Sequence, residues 1–297
     1  TSLIAAGLLS IAPAFAQDRP VVVELYTSQG CSSCPPADEM FAELSKRDDV
    51  IALALHVDYW DYIGWQDPFG APEHAERQRA YALTGGRTSI YTPEMIVNGQ
   101  SDVVGAKPMK LMEAINKHKE DAPQVDLSIA RDGETLRINA HTVSGAAGPF
   151  DVHMLRYHPM AVTQVKRGEN AGHTFENYNI VEGWQTVDQW DGQAPLSLSA
   201  AITGDMPVVV LVQRSNAGPI VGTRFKCAVC ADFDLCADRI GVFDVLVIGV
   251  AGFAVGGRCR NRGQACAARA CQLGPTHGQL ALGQAQLGTA GISGIQI

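Results

Sequence analysis

The chain has 297 residues, of which 46% are hydrophobic and 18% are charged. This composition is typical of a globular protein, and the length suits one large domain or two ordinary ones. The net charge of -8 argues against nucleic acid as a partner, because phosphate binding requires clustered Lys and Arg side chains.

Residues 1–16 have the features of a secretory leader. They carry no charge and end in Ala14-Phe15-Ala16, the small-x-small pattern that signal peptidase accepts. No basic region precedes them, so we expect the given sequence to begin inside the signal peptide. A retained membrane anchor is the alternative, but the apolar run is short for a bilayer span. The sequence predicts a periplasmic or secreted protein that contacts the membrane only through this leader.

A strand, a helix and a second strand are predicted around two cysteines. Residues 21–26 form an apolar run interrupted only by Glu24, which predicts a strand buried on both faces of a sheet. Cys31 and Cys34 follow, and the prolines directly after Cys34 suit the first turn of a helix. A second apolar run at 51–57 predicts a parallel partner strand, which gives a right-handed βαβ unit.

The next part of the chain is an insertion at 58–89 that is rich in aromatic residues, followed by a hairpin. Asn98-Gly99 is a strong signal for a tight hairpin turn. The predicted elements are, in chain order, a helix at 73–83, strands at 94–97 and up to Val104, and an amphipathic helix at 107–118.

After residue 122 the apolar residues recur with a period of two, which indicates strands. The predicted strands lie at 125–129, 136–138, 152–157, 160–165 and 208–212, with Asp132-Gly133 as the first turn. From residue 223 onward cysteines multiply and Glu disappears. We expect residues 223–297 to be an atypical tail outside the fold.

Cys31 and Cys34 are predicted to form a thiol–disulfide site. A helix amino terminus stabilises a thiolate, and the two-residue spacing lets the second sulfur reach the first. We assign Cys31, which we expect to be the more exposed, as the attacking thiol and Cys34 as the resolving thiol. Because Cys34 precedes a proline, we expect the helix to begin late. A plain buried disulfide of an exported protein is the alternative.

Four segments resemble a family of secreted bacterial proteins catalogued as domain of unknown function 1223. These segments are VVELYTSQGCSSCPPAD at 22–38, HVDYWDYIGW at 56–65, YTP at 91–93 and RGENAG at 167–172. The resemblance extends from about Pro20 to Gly222 and implies a thioredoxin-like fold. The family brings no established activity, so a redox assignment rests on the residues themselves.

A thioredoxin-like fold would bring two further residues to the cysteines. Thr92-Pro93 precedes the third strand, where such proteins carry a cis-proline whose loop packs over the sulfurs. Glu24 lies in the strand before the cysteines, where they place a buried acid that can take the proton of the resolving thiol. A carboxylate held by backbone donors is the alternative for Glu24.

The aromatic insertion is a candidate binding surface. Tyr59, Trp60 and Trp65, together with Thr92, are predicted to border a groove beside the cysteines that holds an unfolded or peptide-like partner.

Two groups of residues invite a metal-site interpretation, and neither has a standard ligand spacing. The first group is His56, Asp58, Asp61 and Asp67, and the second is Cys227, Cys230 and Cys236 of the tail. The later cysteines do not supply a matching second pair for zinc. We therefore predict neither a metal nor a cofactor.

Together these observations predict an α/β protein in three parts. A thioredoxin-like domain at 17–122 contains the CxxC motif and the cis-Pro loop, a mostly β domain follows at 123–222, and an irregular tail ends the chain. The leading hypothesis is an exported thiol–disulfide oxidoreductase that acts on cysteines of other exported proteins. The alternative is a non-enzymatic binding module in which Cys31–Cys34 is a structural disulfide.

Overall fold

The computed structural model describes residues 19–143 and 145–226, so the predicted leader at 1–16 and the tail from residue 227 lie outside the described residues. The helices are α1 (Pro35–Leu44), α2 (Pro72–Thr84) and α3 (Pro108–Lys119), with a short 3-10 helix at Asp61–Ile63. The strands are β1 (Val21–Thr27), β2 (Val50–His56), β3 (Glu94–Val97), β4 (Ser101–Val104), β5 (Val125–Asp132), β6 (Thr135–Thr142), β7 (Phe150–Gln164), β8 (Thr174–Trp190), β9 (Leu196–Ala201), β10 (Val208–Arg214) and β11 (Ile220–Lys226).

An eight-stranded sheet runs through the protein in the order β11-β10-β7-β8-β2-β1-β3-β4. β1 and β2 are parallel and are connected by α1, as the βαβ prediction required, whereas β3 and β4 form an antiparallel hairpin beside β1. β2 also pairs in parallel with β8, where Ala54 lies opposite Ile180. The fold is therefore mixed α/β with one large, mostly β sheet, and strands from both sides of the predicted boundary at residues 122 and 123 contribute to this sheet.

The two faces of β1 and β2 bury different layers, because successive side chains of a strand point to opposite faces. One face packs on α1 and α3 through a core that includes Val21, Val23, Leu25, Ala52, Ala54, Phe41, Leu44, Leu111 and Ile115. The other face packs on α2 through a core that includes Val22, Tyr26, Leu53, Leu55, Ala75 and Tyr81. This double burial explains the continuous apolar runs that predicted both strands.

A three-stranded sheet of order β5-β6-β9 covers the far end of the large sheet. Its inward residues alternate with exposed ones, and the shared core contains Val125, Leu127, Leu136, Ile138, Phe150, Val152, Val208, Val210 and Val212. The β5–β6 hairpin turns at the predicted Asp132-Gly133, since Asp132 pairs with Thr135. The half-buried alternation of β6 is what a sheet with one solvated face requires.

Several predicted boundaries are corrected by the structure. The two strands predicted at 152–157 and 160–165 are one long strand, β7, because β8 pairs with it along its whole length. The sequence interpretation missed β8, β9 and β11. Residues 223–226, assigned to the tail, complete β11 by pairing with β10.

Within 19–143 and 145–226, no helix combines the length and the apolar character that crossing a membrane would take.

Candidate disulfide site

Cys31 and Cys34 form a disulfide between the end of β1 and the start of α1. α1 begins at Pro35, directly after the second cysteine, so the expected late start is wrong. Cys34 has helical backbone angles at the cap position, and its carbonyl accepts the N–H groups of Ala37 and Asp38. The disulfide therefore lies at the positive end of the helix dipole.

Both cysteines are fully buried, which corrects the expectation that Cys31 is the more exposed. Part of the cover comes from residues 165–173, the connection between β7 and β8, which we call the strap. Asn170 of the strap donates from Nδ2 to the carbonyls of Gln29 and Cys31, both at 2.9 Å. Only Ser32 and Ser33 of the CxxC turn are exposed.

The loop before Cys31 is held from several directions. The backbone N–H of Gln29 donates to Asp67 Oδ2 at 2.7 Å, and the Gln29 side chain bonds Asn177 of β8 and the indole N–H of Trp65. A Cβ at Gly30 would come within 3.2 Å of Trp60 Cβ, so the loop packs tightly against the aromatic insertion. The disulfide is thus embedded in contacts from both halves of the chain.

The Thr92-Pro93 peptide bond is cis, as predicted. Its segment reaches the disulfide through Ser33, whose hydroxyl donates to the Thr92 carbonyl at 3.4 Å and lies 3.4 Å from Cys31 Sγ. The Thr92 hydroxyl accepts the indole N–H of Trp60 at 2.7 Å.

The predicted aromatic residues line one side of this segment. Tyr59, Trp60 and Trp65 are half-buried, and Trp60 stacks on Tyr62, whose side chain is 80% exposed. Tyr59 donates its hydroxyl hydrogen to Gln78 of α2. These side chains thus combine structural contacts with a small exposed aromatic surface.

Glu24 faces α2 rather than α1. It alternates with Val22 and Tyr26, and its carboxylate accepts hydrogen bonds from Arg77 at 2.8 and 2.9 Å, from Tyr81 at 2.8 Å and from Tyr26 at 2.9 Å. Four donors therefore hold this carboxylate on the face of the sheet opposite α1.

A different acid lies on the α1 face. Asp38 is one turn after Cys34 on α1, and its Oδ1 accepts the Thr27 hydroxyl at 2.9 Å. Burial raises the pKa of the Asp38 carboxyl to about 7, although His56 and the Thr27 hydroxyl favour the carboxylate. This group thus changes protonation near neutral pH.

His56 at the end of β2 is completely buried, and its Nδ1 lies 2.8 Å from Asp67 Oδ2. Burial lowers the pKa of His56, but the carboxylates of Asp67 and Asp38 outweigh that effect and raise it. Burial likewise opposes ionisation of Asp67, but His56 and backbone N–H donors lower its pKa. The two side chains form a buried hydrogen-bonded pair next to the CxxC loop, and both pKa shifts favour the charged forms of the pair.

In the described part of the chain, no group of three or more His, Cys, Asp or Glu residues is arranged to hold a metal ion. His56 and Asp67 of the first candidate group bond each other, and Asp61 bonds the backbone N–H of Asp67. Cys227, Cys230 and Cys236 lie outside the described residues.

Fold and site together define a class: a mixed α/β protein with a buried disulfide at the amino end of a helix and a cis-proline segment beside it. The chain belongs to the family described as "Protein of unknown function (DUF1223)", whose profile matches residues 22–213. A profile described as "Zinc finger, ZZ type" matches residues 216–238, a stretch that includes β11.

Two solved structures are similar to the chain. A crystal structure of Protein AGR_C_4864 from Agrobacterium tumefaciens is 32% identical, with a TM-score of 0.62, and the match covers 72% of this chain and 96% of that one. HBP35 of Porphyromonas gingivalis is 16% identical with a TM-score of 0.55 over 82% of each chain, which indicates a likeness of fold alone. A comparison with curated proteins gave no match.

Proposed function

We propose that the protein is an exported thiol–disulfide oxidoreductase with a thioredoxin-like domain, and that its partners are cysteines of other exported proteins. Cys31 is the attacking thiol and Cys34 the resolving thiol. Pro93 shapes the loop that receives the partner chain, and Thr92, Tyr59, Trp60 and Trp65 border the entrance. The uncharged leader with its cleavage pattern supports export to the periplasm or the medium.

The observation that carries the proposal is the position of the disulfide. It caps α1 and touches Ser33, which in turn bonds the carbonyl of the cis Thr92-Pro93 segment. The β2-β1-β3-β4 order with α1 and α3 on one face supports the thioredoxin-like assignment. A helix dipole behind Cys31 stabilises the thiolate form that attacks disulfides.

This disulfide contributes little to the stability of the fold. Its cysteines are separated by three positions, and a loop that short restricts the unfolded chain by only about 2 kcal/mol, against nearly 5 for a 100-residue loop. The surrounding loop is also fixed already by Asp67, Asn170 and Asn177. This argument favours a chemical role.

The full burial of both sulfurs supports the second candidate, a non-enzymatic binding module with a structural disulfide. An oxidoreductase of this geometry requires the strap to move before a partner sulfur reaches Cys31. The two candidates therefore differ in how readily the disulfide exchanges.

The reduction potential of the pair separates the candidates. The full chain is equilibrated in glutathione buffers and alkylated, and the mass of the tryptic peptide ending at Lys46 is measured. This peptide reports on the pair alone, because it contains no cysteine besides Cys31 and Cys34. An exchanging pair should titrate between about -270 and -120 mV. A potential below about -300 mV would identify a structural disulfide and refute the oxidoreductase.

A further inference from the structure

Two buried polar atoms near the amino end of α1 have no hydrogen-bond partner among the described residues: Asp38 Oδ2 and His56 Nε2. Asp38 comes from the first turn of α1 and His56 from the end of β2. Thr27, whose hydroxyl bonds Asp38, lies opposite His56 in the register of β1 and β2, so the two side chains are neighbours on the α1 face of the sheet. Buried polar atoms without partners are rare and call for a functional explanation.

His56 is fixed by its other ring nitrogen. Nδ1 bonds Asp67 Oδ2 at 2.8 Å, and the same carboxylate oxygen accepts the backbone N–H of Gln29, two residues before Cys31. Asp67 thereby joins the loop in front of the disulfide to the imidazole behind it. The imidazole is therefore held at a defined place by contacts that also fix the CxxC loop, and the carboxylates of Asp67 and Asp38 raise its pKa.

Asp38 lies on the same helix face as Cys34, since residues four apart on a helix are neighbours. The charged or titratable groups that face Asp38 are His56 from β2, Asp67 from the insertion and Glu39 from its own helix. His56 is faced in turn by His74 of α2, whose Nδ1 lies 2.7 Å from the His56 carbonyl. Among these, His56 is the group whose charge favours an ionised Asp38.

We infer that His56 is a positioning residue that keeps the buried carboxylate of Asp38 available as the proton acceptor of Cys34. This inference rests on the proposed oxidoreductase function. It places the proton acceptor on α1, whereas Glu24 is engaged by four donors on the opposite face of the sheet.

In a mixed disulfide between Cys31 and a partner, the Cys34 thiol gives its proton to Asp38, and the Cys34 sulfur attacks Cys31 Sγ. The Cys31–Cys34 bond forms, the Cys31–partner bond breaks, and the partner leaves as a thiolate that takes a proton from solvent. Over the full cycle the protein loses two electrons to the partner disulfide. Asp38 is then deprotonated by solvent.

The test measures the resolving step directly. The reduced full chain, with the six cysteines from Cys227 to Cys271 replaced by Ser, reacts with an aromatic disulfide that releases a coloured thiol. The first release reports attack by Cys31 and the second reports resolution by Cys34. We expect the pH profile of the second release to have its midpoint near the pKa of Asp38, about 7.

His56→Gln removes the imidazole, whose positive charge favours the ionised Asp38 carboxyl. The midpoint should therefore move to higher pH, with the second release roughly fivefold slower at pH 7. Thr27→Val removes the hydrogen bond to Asp38 and should move the midpoint in the same direction. His118→Gln is the matched control, because His118 is a buried histidine of α3 that bonds Ser101 of β4 and Asp121 instead. It should leave the profile unchanged.

Carbon NMR of the Asp38 carboxyl in the oxidised protein, assigned with Asp38→Asn, provides a readout that needs no exchange. The inference would be overturned if the second release persists in both His56→Gln and Thr27→Val and the midpoint of its pH profile does not move. The proposed oxidoreductase function would then still stand. If the wild-type protein shows no second release, the inference and the proposed oxidoreductase function are both overturned, whether or not Asp38 titrates near neutral pH. If His56→Gln does not fold, Asp38→Asn decides: it should slow the second release about 100-fold, and an unchanged rate refutes the inference.

Discussion

Replacing Asn170 by Ala should open the strap and accelerate reduction of the disulfide by dithiothreitol. The side chain donates two hydrogen bonds of 2.9 Å, to the buried carbonyls of Gln29 and Cys31. Each is worth about 1 kcal/mol net, so their loss raises the open population roughly 30-fold. Reduction should quicken by the same factor, since a buried disulfide reacts only from the open state.

The assay follows the tryptic peptide ending at Lys46 by mass after timed alkylation in excess dithiothreitol. Asn170→Asp keeps the shape but sets a carboxylate oxygen against two carbonyls, so its reduction should be at least as fast as that of Asn170→Ala. Asn139→Ala, at an exposed position of β6, is the control and should react like wild type. If Asn170→Ala retains native circular dichroism and the wild-type reduction rate, the strap does not control access.

Three further outcomes follow from the structure. Arg77→Met should lower the free energy of unfolding in urea by about 3–5 kcal/mol, because it leaves Glu24 as a buried unpaired carboxylate, and Glu24→Gln in the same chain should recover part of the loss. The free energy of unfolding should fall as pH rises from about 4 to 7, because the native Asp38 carboxyl, with its pKa of about 7, keeps its proton in a range where the unfolded carboxyl has lost it. Asp38→Asn should flatten this pH dependence, and an unaltered slope in that variant would contradict the assignment. Truncation after Gly222 should lower the melting temperature by several degrees relative to truncation after Lys226, because residues 223–226 pair with β10 and only the longer chain keeps every β10–β11 pair. Equal melting temperatures of the two truncated chains would show that these pairs do not contribute to stability.

The sequence predicts the first βαβ unit well, because its strands are buried on both faces and read as uninterrupted apolar runs. The same runs do not say which face a polar residue takes unless the alternation is counted. Glu24 alternates with Val22 and Tyr26, which places it on the α2 face, whereas Thr27 falls on the α1 face with Asp38. The alternation of side chains along β1 therefore places Thr27, and not Glu24, on the face where Asp38 lies.

The β8 strand gives no clear periodic signal, because many of its side chains on both faces are exposed or half-buried. Its pairing with β2 through Ala54 and Ile180 depends on the tertiary fold. Composition was misleading at β11 for a related reason: the change of character after Gly222 does not mark the end of the strand, which is set by the pairing with β10.

The contacts that bury the disulfide could not be predicted from local pattern. Asn170 lies in a segment that carries the family resemblance, yet its partner Cys31 is 139 positions earlier in the chain. Gln29 and Asn177 are separated by 148 positions. Without homologous sequences to reveal covarying pairs, such long-range partners leave no trace in one sequence.

The distance along the chain between the CxxC turn and its cover has a consequence for the order of biogenesis. At ribosomal rates of 5–20 residues per second, synthesis of the 139 positions that separate Cys31 from Asn170 takes about 7 to 28 seconds. During that interval Asn170 is not yet present to bond the CxxC loop, so the two thiols are open to whatever oxidant is present. The disulfide can therefore form on the nascent chain by reaction with an external oxidant, and it becomes buried afterwards, when β8 pairs with β2.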